Sequence, residues 1–321
     1  MVKLNKAPYN RSLEVLPGEE HKLKPDILKI KSTASLNEIT NRIINQDIFS
    51  VIDFLPDSFI DLLFLDPPYN IYKNFNSNLF RITDIRKYEA WMDSWMEKLV
   101  RLLKPDASVY ICGDWSASAA IYNTGIKYFN LQNRITWERE KGRGAKKNWK
   151  NCSEDIWFFS CSKKYTFNLD DVKIKRRVLA PYKVDGKPKD WIEVKNSGYR
   201  ITHPSNLWND ITVPFWSMPE NTIHPTQKPE KLLAKIILAS SNEGDLVFDP
   251  FLGAGTSAVT AKKLGRNFCG VEIDKHYCML AQKRINLADS DKSIQGFKDG
   301  LFWERNTLSE QRKLMHREKK K

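Results

Sequence analysis

The chain alternates short apolar runs with segments in which apolar side chains recur every three or four residues. The first pattern predicts buried strands, and the second predicts helices that cover them. This alternation predicts an α/β fold with a mostly parallel sheet and helices on both faces. The predicted strands are residues 43–44, the run that ends at 65, 108–112, 131–137, 156–160, 245–248 and 267–273. The predicted helices are residues 48–55, 84–104, 117–126, 230–240 and 257–264.

Two finer predictions concern the ends of these elements. Helix 84–104 should end before Pro105, because a proline inside a helix removes a backbone hydrogen bond. Its aromatic stripe, which includes Trp91, should pack in the core. Residues 158–160 and 165–167 should form a hairpin around the polar turn between them.

One strand-like run stops abruptly at Asp66, Pro67, Pro68 and Tyr69. Each proline fixes its own φ and disfavours helical angles in the residue before it, so this segment should be a stiff extended loop. Open α/β sheets bind ligands at the carboxyl ends of their strands, where this loop begins. It offers a carboxylate, backbone carbonyls and a flat ring, which suit a planar base with an exocyclic amine. From this motif alone, a turn that merely ends a strand is the alternative.

A second motif, residues 249–256, carries two glycines between a predicted strand and a predicted helix. This layout is typical of a nucleotide-binding crossover, in which glycines let the backbone approach a ligand. The third glycine of the dinucleotide fingerprint is missing, so a pyrophosphate is not indicated. Glu272 and Asp274 end the next strand, where an acidic side chain can accept the hydroxyls of an unphosphorylated ribose. S-adenosyl-L-methionine fits these groups, and a plain tight turn is the alternative.

Four spaced motifs resemble those of the β-group of DNA amino-methyltransferases, which modify adenine N6 or cytosine N4. The motifs are residues 45–47, 66–69, 221–229 and 249–256. In that family the catalytic half precedes the cofactor half, which is the order in this chain. The resemblance covers roughly residues 40–160 and 221–286. It implies a Rossmann-like S-adenosylmethionine-dependent methyltransferase fold with permuted motif order and an inserted target-recognition region.

The resemblance also implies roles for individual residues. Asp66, Pro67, Pro68 and Tyr69 would be catalytic. Asp47 would bind the cofactor adenine, residues 249–256 would hold the methionine moiety, and Thr226 and Lys228 would close the pocket. His224 is expected to be a structural hydrogen bonder. The full set implied for the cofactor is Asp47, Ile48, Asp66, Thr226, Lys228, Asp249, Pro250, Phe251, Gly253, Gly255, Thr256, Glu272, Ile273 and Asp274.

Adenine N6 is a poor nucleophile because its lone pair is delocalised into the ring. Hydrogen bonds from its two protons to the Asp66 side chain and the Pro67 carbonyl would free that lone pair. Attack on the sulfonium methyl is then a direct displacement that needs alignment and electrostatic preorganisation but no covalent intermediate. Tyr69 would stack on the target base, which must leave the duplex first.

Composition agrees with an enzyme that acts on a polyanion. The 321 residues carry a net charge of +13 and a pI near 9.3, and they fit one catalytic domain with an insertion. The five cysteines are scattered and, like the histidines, lack zinc-site spacing, so we expect reduced thiols and no metal. The sequence contains no long apolar run and no signal-peptide core, so we expect a cytoplasmic, DNA-associated prokaryotic protein with no membrane contact.

Basic residues are concentrated in two stretches outside the strand and helix pattern. Residues 139–150 should contact phosphates, and residues 172–220 match the target-recognition region of the family. The other predicted regions are a basic arm (1–34), a catalytic half (35–171), a cofactor half (221–290) and a basic tail (291–321). The partner should be double-stranded DNA, and the resemblance allows a cognate restriction endonuclease and a homodimer. The candidate DNA-binding residues are Arg139, Lys141, Arg143, Lys146, Lys147, Arg176 and Arg177.

Four functions follow as hypotheses. N6-adenine methylation of a specific duplex site leads, because relatives that act on cytosine N4 usually begin the catalytic loop with Ser, where this chain has Asp66. N4-cytosine methylation is the first alternative. RNA or protein amine methylation is less favoured, since those relatives commonly begin the loop with Asn. The other class of alternative is a catalytically silent DNA-binding module.

Overall fold

The computed structural model of the protein describes residues 7–69, 73–75, 78–80, 84–139, 149–178, 182–189, 191–194 and 197–304. In chain order the α-helices are α1 (Glu20–Leu23), α2 (Leu36–Ile39), α3 (Ile48–Val51), α4 (Ile85–Val100), α5 (Ser118–Tyr128), α6 (Glu230–Ser240), α7 (Thr256–Lys263) and α8 (Lys275–Leu287). The strands are β1 (Ile27–Leu28), β2 (Arg42–Ile44), β3 (Ile60–Leu65), β4 (Lys73–Phe75), β5 (Asn78–Phe80), β6 (Leu103–Gly113), β7 (Asn130–Glu138), β8 (Ser153–Ser160), β9 (Ile174–Arg177), β10 (Lys183–Val184), β11 (Lys187–Pro188), β12 (Ile192–Val194), β13 (Ser197–Thr202), β14 (Leu207–Trp208), β15 (Leu246–Asp249), β16 (Asn267–Val271), β17 (Phe297–Lys298) and β18 (Leu301–Trp303).

Nine strands form the central sheet in the order β1-β2-β16-β15-β3-β6-β8-β7-β14. Neighbouring strands are parallel except that β8 runs antiparallel to both β6 and β7. From β3 the chain crosses to β6 on one side, and from β15 it crosses to β16 on the other. The topological switch point therefore lies between β3 and β15. The predicted mostly parallel α/β sheet is confirmed.

Helices cover both faces of this sheet. The side chains of α3, α4 and α5 join one apolar cluster, and those of α6, α7 and α8 join another. Strand β3 lies between the two clusters, and its side chains point alternately to each of them. Leu63 and Leu65 face the first cluster, while Leu62 and Phe64 face the second. None of the helices among the described residues is both long and apolar enough to cross a membrane.

The long predicted helix ends earlier than expected. Asp84 caps α4 by accepting a hydrogen bond from the backbone N–H of Arg86, but the helix stops at Val100, and Pro105 lies inside β6. The prediction that Pro105 ends the helix is therefore wrong. Pairing with β3 moves from Leu103 opposite Ile60 to Ser108 opposite Leu62, so the proline falls in an irregular part of the ladder where its missing N–H is tolerated.

The predicted hairpin of residues 158–160 with 165–167 is also wrong. Residues 165–167 are not in a strand. Ser160 of β8 lies opposite Ser108 of β6 on one side and Asn130 of β7 on the other, so both edges of β8 are already paired. The apolar pattern of residues 165–167 instead reflects packing, because Tyr165 and Phe167 contact the ring of Phe158.

A second, five-stranded sheet lies in the region that loses the strand and helix alternation. Its order is β12-β13-β9-β18-β17, and β18 pairs in parallel with β9. Strands β17 and β18 come from residues that the sequence analysis assigned to a basic tail. The first part of that tail therefore belongs to the same sheet as the basic insertion, while residues 305–321 lie outside the described part of the chain.

A buried ionic cluster joins this second sheet to the central sheet and its helices. Asp210 binds the ammonium groups of Lys231 and Lys235 on α6, at 2.9 and 2.7 Å. Burial alone would raise the pKa of Asp210, but the two ammonium groups lower it to about 2. Lys235 also lies over the rings of Trp208 and Phe302. The cluster therefore holds the first turns of α6 against β14, which precedes α6 in the chain, and against β18, which follows it.

The N-terminal segment lies along the core rather than apart from it. The backbone N–H of Arg11 donates to the carbonyl of Trp216, and Leu13 forms a bridge with Thr222. Strand β1 then adds to the edge of the central sheet beside β2.

Candidate active site

A cavity of about 360 Å³ opens at the carboxyl ends of β2, β16, β15 and β3, at the topological switch point. Ligands bind at this position in open α/β sheets because the two crossovers diverge and leave a crevice. Four separate motifs of the sequence meet there. The residues that line the cavity are Gln46, Asp47, Ile48, Phe49, Asp66, Pro67, Pro68, Tyr69, Trp91, His224, Thr226, Lys228, Pro250, Phe251, Gly253, Val271, Glu272, Ile273, Asp274 and Tyr277.

The loop that follows β3 contributes Asp66, Pro67, Pro68 and Tyr69 to the cavity wall. The Tyr69 hydroxyl lies 2.9 Å from Asp66 Oδ1, and the Tyr88 hydroxyl of α4 donates to the Pro68 carbonyl at 2.9 Å. Burial raises the pKa of Tyr69, and the nearby carboxylates raise it further, so the hydroxyl stays protonated and can donate. The first hydrogen bond closes the loop on itself, and the second ties it to α4.

Lys228 connects this loop to the segment before α6. Its ammonium group donates to Asp66 Oδ2 at 2.6 Å, and it lies 5.3 Å from the centre of the Tyr69 ring. Burial alone would lower the pKa of Lys228, but the carboxylates of Asp66 and Glu154 raise it above its ordinary value. A buried ammonium with two carboxylates around it stays charged and holds the loop after β3 in place.

The glycine loop approaches the cavity with its backbone. Gly253 lines the wall with a φ of +53°, and a Cβ added there would meet His224 Nε2 at 3.0 Å. Gly255, with a φ of +78°, has no room for a Cβ, since it would lie 2.5 Å from the Cβ of Ala281 in α8. The first glycine therefore leaves space beside the ligand cavity, and the second allows the loop to pack on a helix.

Glu272 directly follows β16 and lines the cavity. Its carboxylate accepts hydrogen bonds from the backbone N–H groups of Gly253 and Asp274, both at 2.8 Å. Burial raises the pKa of Glu272 to about 7, although these two hydrogen bonds act to lower it. The carboxylate is thus held in a fixed orientation by the glycine loop, with its remaining lone pairs available to donors in the cavity.

The segment after β2 forms the opposite wall. Asn45 donates to the carbonyls of Glu272 and Ile273, which ties the ends of β2 and β16 together. Asp47 caps α3 by accepting from the Phe49 backbone N–H. Asp47 and Ile48 line the cavity, as do Thr226 and Lys228 from the other side.

Three of the residues expected at the cofactor do not reach the cavity wall. Asp249 is buried behind it, where it accepts from Ser257 Oγ and from the Phe251 backbone N–H. Burial raises its pKa to about 7. Gly255 packs on α8, and the Thr256 hydroxyl accepts from Arg284. These residues shape the loop rather than face the cavity.

The expected DNA contacts are placed only in part. Arg139 points inward and pairs with Glu154 at 2.6 Å, so its guanidinium is engaged inside the protein. Arg177 is exposed on β9, whereas the neighbouring Arg176 is partly buried. Lys141, Arg143, Lys146 and Lys147 lie outside the described residues.

The model of a family described as DNA methylase matches residues 60–283. The chain belongs to this family. Over 262 residues this DNA methylase is 34% identical to the type II methyltransferase M.HpaI of Haemophilus parainfluenzae, covering 80% of this chain and 76% of that protein. It is 33% identical over 291 residues to the DNA adenine methyltransferase YhdJ of Escherichia coli K12, covering 84% of this chain and 92% of YhdJ. Its fold matches that of the Thermus thermophilus protein TTHA0409 in complex with S-adenosyl-L-methionine, with a TM-score of 0.51, 19% identity and coverage of 83% and 98%.

Several residues at the site of this DNA methylase were missed by sequence reasoning. Phe49 and Trp91 line the cavity, although Trp91 was expected only in the core, and Gln46 and Tyr277 line it too. Glu154 lies just behind the wall, bonded to Tyr69 and close to Lys228. It lies near the start of an antiparallel strand, so the amino end of that strand reaches the edge where the parallel strands have their carboxyl ends. Predicting that placement from the sequence requires the direction of β8.

Proposed function

We propose that the protein transfers a methyl group from S-adenosyl-L-methionine to N6 of adenine within a specific site of duplex DNA. The single observation that carries this proposal is the cavity shared by Asp66 and Glu272 at the switch point of the sheet. One side of that cavity offers the groups suited to a nucleoside with an amino acid tail. The other offers a rigid acceptor for an exocyclic amine.

The residues of the cofactor side fit this donor. Glu272 is oriented to accept ribose hydroxyls, and the space kept free at Gly253 lets the ligand approach the backbone. Asp47 and Ile48 would hold the adenine, and Thr226 and Lys228 would border the methionine end. When bound, S-adenosyl-L-methionine supplies an electrophilic methyl group on its sulfonium. TTHA0409, which shares the fold, was solved with this molecule.

The residues of the catalytic loop would bind and polarise the target amine. Asp66 and the Pro67 carbonyl would accept its two protons, which favours a pyramidal nitrogen with a free lone pair. Tyr69 would stack on the base once it has left the duplex, at a cost of a few kcal/mol. The aspartate at position 66 supports adenine over cytosine, and so does the name of YhdJ.

The basic surface would bind the DNA backbone. We propose phosphate contacts for Arg177 and for Lys141, Arg143, Lys146 and Lys147, and target readout by residues 172–220 with β17 and β18 beside them. Residues 35–171 and 221–290 would be the catalytic and cofactor halves. A cytoplasmic location, a cognate endonuclease and a homodimer belong to the same proposal and rest on the resemblance to restriction-modification enzymes.

The test is to express the protein in a methylation-free bacterial host and to read the host genome by modification-sensitive sequencing. We expect N6-methyladenine at every copy of one short motif, and none in cells that express Asp66→Asn. N4-methylcytosine at the motif would assign the alternative base. An unmodified genome, from cells that contain folded protein able to bind the cofactor, would contradict methylation of DNA.

A further inference from the structure

Glu154 occupies an unusual place beside the catalytic loop. Its side chain is 5% exposed and does not line the cavity. It nevertheless contacts the side chains of Arg139, Tyr69 and Lys228. Oε1 accepts from Arg139 at 2.6 Å, and Oε2 lies 3.1 Å from the Tyr69 hydroxyl and 3.4 Å from Lys228 Nζ. Glu154 therefore shares two of its neighbours, Tyr69 and Lys228, with Asp66.

Asp66 is already occupied in this structure. Its Oδ1 accepts from the Tyr69 hydroxyl at 2.9 Å, and its Oδ2 accepts from Lys228 at 2.6 Å. A base amine that donates to Asp66 must compete with both of these donors. A charge-assisted hydrogen bond from a buried ammonium is the stronger competitor, and it also withdraws electron density from the carboxylate.

Glu154 provides a second acceptor for the Tyr69 hydroxyl and the Lys228 ammonium. The single Tyr69 hydroxyl proton can point to either carboxylate, since both oxygens are within hydrogen-bond distance. Lys228 needs to move by less than about 1 Å to reach the distance of a charge-assisted hydrogen bond to Glu154. Without this second carboxylate, a buried ammonium that left Asp66 would have no anionic partner nearby among the described residues, and such a state is costly.

Arg139 makes this arrangement electrically balanced. Asp66 and Glu154 carry two negative charges, and Lys228 and Arg139 carry two positive charges. Arg139 binds Oε1 of Glu154 and so leaves Oε2 for the moving donors.

On the basis of the proposed function, we infer that Glu154 is a positioning residue that takes over Tyr69 and Lys228 when the target amine binds to Asp66. Proton donors move from one carboxylate to another, and no covalent bond changes. Asp66 then faces the amine as an unshared acceptor. The residue acts through its neighbours and does not touch the base.

The variant Glu154→Gln tests this exchange. An amide has one acceptor oxygen and no charge, so it must turn its NH₂ group toward either Arg139 or Lys228, both of which are donors. The matched control is Asp155→Asn on the same strand, whose carboxylate binds Ser118 and Thr136 away from Asp66. Both variants are compared in single-turnover methylation of a duplex that carries the site found by sequencing.

We expect Glu154→Gln to slow methyl transfer by at least about tenfold, because the amine meets an Asp66 that keeps its ammonium. Binding of S-adenosylhomocysteine should change by less than about twofold, since Glu154 lies outside the cavity wall. Asp155→Asn should keep the wild-type rate. If the wild type methylates the duplex and Glu154→Gln matches it, the inference fails while the proposed function stands. If the wild type itself does not methylate, the proposed function fails.

A second measurement separates donor exchange from a merely structural role. The duplex is prepared with purine, which lacks the amine, in place of the target adenine. Glu154→Gln should weaken binding of the adenine duplex by about fivefold or more and leave the purine duplex within about twofold. Equal weakening of both duplexes would mean that Glu154 only supports the fold, and would overturn the inference.

A structure of the wild type tests the same point without a variant. In a complex with the adenine duplex and S-adenosylhomocysteine, Lys228 Nζ should lie at about 2.8 Å from Glu154 and beyond about 3.5 Å from Asp66. An intact pair between Lys228 and Asp66 in that complex would overturn the inference.

Discussion

The affinity for the cofactor should depend on pH through Glu272. Burial raises the pKa of this carboxyl to about 7, against the hydrogen bonds from the backbone of Asp274 and Gly253. Both oxygens of the carboxylate accept strongly from ribose hydroxyls, whereas the protonated acid becomes a donor on one oxygen and keeps a weaker acceptor on the other, so only the ionised enzyme binds with full strength. A group with a pKa of about 7 is ionised in about ten of eleven molecules at pH 8 and about one of eleven at pH 6. We therefore expect the Kd for S-adenosylhomocysteine to rise about tenfold between pH 8 and pH 6, or about 1.4 kcal/mol.

Isothermal titration calorimetry at a series of pH values measures this change. Glu272→Gln should bind more weakly at pH 8 and lose most of the pH dependence, because its amide does not titrate. Asp249 needs its own control, since burial raises its pKa to about 7 as well and it lies behind the same loop. Asp249→Asn should keep the pH dependence of the wild type. A wild-type Kd that is the same at pH 8 and pH 6, or a Glu272→Gln variant with the full tenfold change, would refute the assignment of Glu272 to the ribose.

Three further predictions concern packing, charge and DNA. Gly255→Ala should lower the free energy of unfolding by about 2–3 kcal/mol more than Gly244→Ala, as measured by urea denaturation, because both have positive φ but only Gly255 would place a Cβ 2.5 Å from Ala281; equal losses would contradict the clash. Asp210→Ala should lose about 3–5 kcal/mol by the same assay, since it leaves two buried ammonium groups, whereas Asp289→Ala in an exposed pair should lose less than about 1 kcal/mol. Similar small losses would mean that the buried cluster is dispensable. DNA affinity should fall steeply with salt, with a log–log slope that becomes shallower by about one unit for each phosphate-contacting basic residue replaced, beginning with Arg177; an unchanged slope in Arg177→Ala would remove this residue from the interface.

Much of the fold follows from local patterns. Apolar periodicity located the helices on both faces because each buries a stripe, and alternation on β3 reflects the two clusters that it separates. The same reasoning misplaced the end of α4, because Pro105 looks like a helix breaker in sequence. A proline can end a helix or can lie in an irregularly paired part of a strand. Which of the two occurs depends on the neighbouring strand, and local sequence does not show that neighbour.

The candidate site was predictable where its chemistry is written in adjacent residues. Asp66, Tyr69, Gly253 and Glu272 come together in the cavity because their strands are parallel and end at one edge. Glu154 was not predictable in this way, because it belongs to an antiparallel strand whose direction is set by its pairing with β6 and β7. Arg139 was expected to bind phosphate from charge density alone, but charge density does not show that a buried carboxylate lies within reach.

The central claim is that Asp66 activates the target amine in the cavity that it shares with the cofactor residues. The most direct measurement is the single-turnover rate of Asp66→Asn on the site-containing duplex, together with its Kd for S-adenosylhomocysteine. We predict a loss of rate of at least about 100-fold, which is typical when a charged transition-state contact is removed. The Kd should rise by a much smaller factor than the rate falls, because the other residues that line the cofactor side of the cavity are unchanged. A folded variant that methylates at nearly the wild-type rate would contradict the account.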